Sequence, residues 1–167
     1  KRNNESFIMI NINCDLGEKS KFHSTENDPD LLSIVNSANV ACGYHAGDQE
    51  TMNKVIKISK KNGVSVGAHP SFNDPDNFGR KRINLNSSEI TKLIIDQYKI
   101  LQEIAQNYDE NVTHIKPHGA LNNMACEDFN LANTIAEAIN SISKDIIFLV
   151  PTGSQMEIAA TKLDMKI

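Results

Sequence analysis

Four times in this chain a short apolar run ends in a polar, glycine-flanked cluster, after which the pattern turns helical. The runs lead into Cys14-Asp15-Leu16-Gly17-Glu18, Gly43-Tyr44-His45-Ala46-Gly47-Asp48, Gly67-Ala68-His69-Pro70 and Lys116-Pro117-His118-Gly119. Strand, loop and helix in repetition, joined by short connections, require parallel strands with right-handed crossovers. That repeat restricts the fold more than any other feature of the chain.

The units can be placed along the sequence. Residues 7–13 are β-rich, and Asp28-Pro29-Asp30 opens a helix whose apolar stripe includes Leu31, Leu32, Ile34 and Val35. Strands are predicted at 37–42, 64–68, 112–116 and 146–150. Helices are predicted from about Asp48 to Asn62-Gly63, from Ser87 or Ser88 as N-cap to about Asn107, over 129–142, and after Ser154.

Two architectures accommodate such a series, a closed (β/α) barrel and an open doubly wound sheet. A doubly wound sheet gathers its functional groups at one switch point, whereas a barrel collects them from the C-terminal ends of many strands. Polar side chains at four successive strand ends favour the barrel, of which this chain supplies about five βα units. The expectation is therefore a single TIM-like barrel domain over 1–167. Because five strands do not close a barrel, further units are expected beyond Ile167.

Composition narrows the function classes. The chain has 167 residues, 40% hydrophobic and 23% charged, with a formal net charge of −4. Its basic residues are scattered apart from Arg80-Lys81-Arg82, so no stripe tracks a phosphate backbone and nucleic acid is not an expected partner. No apolar stretch reaches the roughly 18 residues needed to span a bilayer. Three cysteines without C-x-x-C spacing suggest neither a disulfide framework nor a zinc knuckle, and a reduced, cytoplasmic protein is the expectation.

His45, His69 and His118 each follow a strand, and with Asp15 they form the candidate centre. Neutral imidazoles and a carboxylate suit a divalent metal, making Asp15, His45, His69 and His118 candidate ligands. The same residues would equally serve as an acid–base cluster without metal. His23, in a polar loop, and His114, inside a strand, are read as structural or exposed. Lys116 must reach a polar cavity or a carboxylate, either to stabilise an anion or to pair with Asp15 or Glu18. Asp48 is a natural N-cap that also adds a carboxylate beside His45. Arg80 and Arg82 are either a solvated face or the binding site for an anionic substrate. Asn11 and Asn13 share one strand face and are expected to line the site. There is no G-x-G-x-x-G after the first strand, no Walker-type loop and no G-x-S-x-G elbow.

The motifs at 13–18, 41–48, 67–72 and 116–121, in that order, resemble the LamB/YcsF family, the A subunits of prokaryotic ATP-dependent 5-oxoprolinases. The resemblance runs from about Met9 to the end of the chain. It departs at Asn122, where an aromatic residue is common, and at Asn73, where proline is usual. It implies a (β/α) barrel related to polysaccharide deacetylases. It also implies hydrolysis of the 5-oxo-L-proline lactam to L-glutamate, coupled to ATP hydrolysis and carried out with subunits B and C. Asp15, His45, His69, Lys116 and His118 fall on the family's motif positions, with Asn13, Asp48, Arg80 and Arg82 as candidate substrate contacts. The alternatives are a metal-dependent deacetylase-like hydrolase and a non-catalytic scaffold subunit.

Overall fold

The computed structural model describes residues 10–167. Five strands form one sheet: β1 (Asn13–Leu16), β2 (Ser37–Ala41), β3 (Ser65–His69), β4 (Val112–Ile115) and β5 (Ile147–Phe148). They lie in the order β1-β2-β3-β4-β5, and every adjacent pair is parallel. A doubly wound sheet reverses its order at a switch point. Here each strand lies beside its predecessor without reversal, which is how successive units of a (β/α) barrel are laid down.

The helices are α1 (Asp28–Leu31), α2 (Gln49–Asn62), α3 (Ser87–Gln106), α4 (Gly119–Glu127), α5 (Phe129–Ile142) and α6 (Gln155–Lys162). β2 is buried along its whole length, as expected of a strand covered on both faces. α3 buries Ile90, Leu93, Ile94, Leu101 and Ile104, each worth roughly 1.5–3 kcal/mol in apolar transfer. Its first turn is closed by a capping box: Asn86 Oδ1 accepts from the Glu89 amide, and Glu89 Oε2 accepts from the Asn86 amide. Asn86, not Ser87 or Ser88, is thus the cap. Among the described residues no helix is long and apolar enough to cross a membrane.

Four elements differ from their sequence-based placement: α1 stops at Leu31 and leaves Ile34 of its expected apolar stripe exposed, β5 is confined to Ile147–Phe148 within the expected 146–150, and β1 and α4 differ as follows. β1 begins at Asn13, so Asp15 lies within the strand instead of after it. The expected strand start at 7–9 lies outside the described residues. α4 was not anticipated at all. It opens on a glycine, has no side-chain cap, and buries only Ala120, Leu121 and Ala125. Such a short stretch carries too few apolar residues for its period to stand out.

The register aligns one row of residues across four strands. Asp15 pairs with Asn39, Asn39 with Gly67, and Gly67 with His114. Gly67 leaves the space above β3 empty, and the His114 ring lies across it, where a Cβ would sit 2.1 Å from the ring. His114 Nε2 thereby donates to Asn39 Oδ1 at 3.0 Å, spanning from β4 to β2.

Candidate active site

The row ends in a fixed carboxylate. Asn39 is fully buried, and its Nδ2 donates to Asn13 Oδ1 and Asp15 Oδ1, both at 2.8 Å. Lys116, just past the end of β4, donates to the same Asp15 oxygen at 2.6 Å. The other oxygen, Oδ2, lies 3.5 Å from His69 Nε2. Burial alone would raise the Asp15 pKa, but the hydrogen bonds and charges of His69 and Lys116 outweigh it and hold the group far below the usual carboxylate range. Asp15 is ionised at neutral pH.

Beside this pair the three strand-end histidines converge. His45, His69 and His118 are buried, and the His45 and His118 rings stack at 3.9 Å between centroids. His69 Nδ1 donates to the Lys116 carbonyl at 2.6 Å, and His118 Nε2 to the Phe78 carbonyl at 2.9 Å. Their other nitrogens, His69 Nε2 and His118 Nδ1, face each other at 3.0 Å. Glu18 Oε1 completes the group, 3.1 Å from His45 Nε2, 3.3 Å from His118 Nδ1 and 3.7 Å from His69 Nε2. One donor atom from each of Glu18, His45, His69 and His118 lies within 4.8 Å of all the others, a grouping able to hold a metal ion. Burial lowers His118 to about 4, and the nearby His45 and His69 charges add to the shift. His45 is likewise lowered, mainly by burial.

The loop after β3 forms a cover over this cluster. Phe78 supplies the carbonyl to His118, and Gly79 O accepts from the Ala120 amide at 2.9 Å. Gly79 has φ 64°, and a Cβ there would lie 2.1 Å from Ser71 Oγ and 2.9 Å from His45 Cβ. The start of the loop is fixed from α3, where buried Gln97 accepts from the Ser71 amide and donates to the Ser71 carbonyl.

A cavity of about 570 Å³ opens over the site, lined by Asn13, Asp15, His69, Arg80, Lys116, His118, Asn122 and Pro151 among others. That volume is within the range of small-molecule pockets. The structure therefore brings together Asn13, Asp15, His69, Arg80, Lys116 and His118, with His45 directly behind them. It does not bring in Asp48 or Arg82. Asp48 caps α2 by accepting from the Thr51 amide at 2.8 Å and pairs with Lys19 at 3.2 Å. Arg82 makes a two-pronged exposed contact with Glu127 at 2.7 and 2.9 Å, away from the cavity. His23 is exposed and stacks on Phe78. Glu18, Asn39 and Gln97 are site-building residues that the sequence reading left without this role. Gln97 did carry a signal: a polar residue set between Leu93 and Leu101 on an apolar stripe.

The buried row has a pH signature. Burial pushes His114 down to about 4, with the charges of His69 and Lys116 adding to the shift. In the unfolded chain the same ring has a pKa near 6.5. Between these values the unfolded state binds a proton that the folded state refuses, so stability falls as pH drops from about 6.5 to about 4. The full loss from this group is about 3 kcal/mol. His114→Gln keeps an N–H for Asn39 but cannot titrate, so denaturant titrations should give a shallower dependence of unfolding free energy on pH in that window. An unchanged slope would contradict the assignment.

A sequence profile described as the LamB/YcsF family matches residues 10–167. The chain is 42% identical to the 5-oxoprolinase A subunit of Nitrobacter hamburgensis, over 96% of this chain and 63% of that protein. It is 38% identical to the 5-oxoprolinase A subunit of Natranaerobius thermophilus, over 95% and 62% of the two chains. The crystal structure of a lactam utilization protein from Thermus thermophilus superposes with a TM-score of 0.89 at 32% identity, covering 94% of this chain and 64% of the other. The chain thus spans less than two thirds of the length of these relatives.

Proposed function

Since the chain belongs to the LamB/YcsF family, we propose that it acts as the A subunit of an ATP-dependent 5-oxoprolinase, opening the lactam of 5-oxo-L-proline to L-glutamate. Subunits B and C are the proposed partners, and ATP is used by the assembled complex. The observation that carries this reading is an ionised Asp15, held between Lys116 and His69 on the floor of a cavity sized for a small ligand.

A lactam is a resonance-stabilised amide, and water attacks it slowly. Transfer of the ATP γ-phosphoryl group to the lactam oxygen makes that oxygen a leaving group and its carbon an electrophile. As Lys116 turns from Asp15 towards the charge on the phosphorylated carbon, the Asp15 carboxylate regains basicity and takes a proton from the attacking water. The ring C–N bond then breaks, that proton passes to the leaving nitrogen, and a second water hydrolyses the resulting acyl phosphate to glutamate and phosphate. The Lys116 ammonium, 2.6 Å from Asp15, offsets negative charge that develops on the phosphorylated, hydrated carbon. Over the cycle, 5-oxoproline, ATP and two waters become glutamate, ADP, phosphate and one proton.

Arg80 reaches the cavity wall, and no carboxylate of the described residues pairs with it. It is suited to the carboxylate of 5-oxoproline, which does not react. A charge-assisted contact of that kind is worth about 1.5–3 kcal/mol. Arg80→Gln should therefore raise KM for 5-oxoproline roughly ten- to a hundredfold and leave kcat close to the parent value. A loss confined to kcat would remove Arg80 from substrate binding.

The grouping of Glu18 with three histidines favours one second reading, a metal-dependent hydrolase of N-acetylated sugars. ATP-independent release of acetate from N-acetylated oligosaccharides by the protein alone would select it over lactam opening.

A further inference from the structure

The hydrogen bonds around the histidines determine which ring nitrogens carry protons. A carbonyl oxygen only accepts, so His69 is protonated at Nδ1 toward Lys116 O, and His118 at Nε2 toward Phe78 O. In neutral rings this leaves lone pairs on His69 Nε2 and His118 Nδ1, the two atoms that face each other at 3.0 Å. Glu18 Oε1, a third acceptor, lies 3.3 Å from His118 Nδ1 and 3.7 Å from His69 Nε2. Three acceptors directed at one point repel unless a cation lies among them. Without a metal the cluster needs two protons, one on His69 Nε2 towards His118 and Asp15 and one on His45 Nε2 towards Glu18, whereas a single cation satisfies all four groups at once.

Charge points the same way. Asp15 has its own cation in Lys116, but Glu18 faces only imidazoles among the described residues. A largely buried carboxylate without a counter-charge is costly. His45 supplies the fourth donor, Nε2, 3.1 Å from Glu18 Oε1. The backbone carbonyls behind His69 and His118 are the supports that hold ligating imidazoles in one tautomer.

We infer that Glu18, His45, His69 and His118 bind one divalent first-row cation beneath the cavity, with Asp15 kept out of the ligand set by Lys116. Imidazole and carboxylate donors select zinc or manganese over magnesium, which prefers oxygen ligands and keeps its waters. The inference is independent of the substrate, because metal binding is read with no substrate present.

The test uses full-length protein stripped with a chelator and equilibrated separately against zinc, manganese and magnesium, with bound metal measured by elemental analysis. Uptake of roughly one equivalent of zinc or manganese, with a raised Tm and no magnesium retained, is the expected result. Glu18→Gln should weaken that uptake by at least about a hundredfold, and Asp15→Asn should keep the parent stoichiometry. Circular dichroism of each variant confirms that it is folded, and the parent stoichiometry decides the matter if a variant is not. No zinc or manganese retained by the parent protein would overturn the inference. So would Glu18→Gln binding as tightly as the parent, or a folded Asp15→Asn that has lost the metal.

Discussion

Asp15→Asn is expected to lower ATP-dependent turnover of 5-oxoproline by the assembled complex by about 10²–10⁴-fold, the usual contribution of a positioned general base. The substitution keeps the size of the side chain and an oxygen for Lys116 and Asn39. It removes the negative charge that burial opposes and that His69 and Lys116 restore. The loss should fall on kcat, because Asp15 is proposed to act on water and not on the substrate's carboxylate. Asp15→Glu retains the charge but pushes it further into the cavity, and partial activity is expected. If Asp15→Asn turned over at the parent rate, the base would have to be sought among the histidines.

Gly67→Ala is the second large effect, and it acts on stability. The added methyl would lie 2.1 Å from His114 Cδ2 and Nε2, too close for the ring to remain across β3. Either the ring swings away or the strand shifts. Overpacking of this kind costs about 1–3 kcal/mol. Losing the His114–Asn39 bond leaves buried polar atoms unpaired, at about 1–3 kcal/mol more. A total of about 2–6 kcal/mol, measured by denaturant unfolding, is comparable to the whole stability of many domains. Since Asn39 also holds Asp15, whatever folded protein remains should turn over more slowly. His114→Ala combined with Gly67→Ala removes the clash and should recover the overpacking share, though not the lost hydrogen bond. A fully stable Gly67→Ala would mean that the row across the sheet does not bind the strands as described.

How far such features could be read in the sequence depends on their range. The convergence of His45, His69 and His118 was legible because each stands where an apolar run meets a glycine-rich loop, which is a local signal. Sequential βα units also made a barrel-like order legible before any pairing was known. The division of labour between Asp15 and Glu18 was not. Both carboxylates follow one apolar run, and only the extension of β1 to Leu16 turns Asp15 toward Lys116 and leaves Glu18 with the histidines. Arg80 and Arg82 look equivalent in a basic cluster, yet one lines the cavity and the other pairs with Glu127 on α4, a helix whose weak period hid it. His114 could be assigned to a strand interior. Its reach to Asn39 depends on the register of three strands and on an empty place at Gly67, and neither is written in the local sequence.

The central proposal is that this chain supplies the lactam-opening centre of a complex. It is tested most directly by mixing purified, full-length protein with subunits B and C, ATP and 5-oxo-L-proline, and measuring glutamate and ADP together. Equal amounts of both, formed only when this protein and subunits B and C are all present and lost with Asp15→Asn, are predicted. Glutamate formation by B and C without this protein, or no glutamate from the full mixture, would contradict the account.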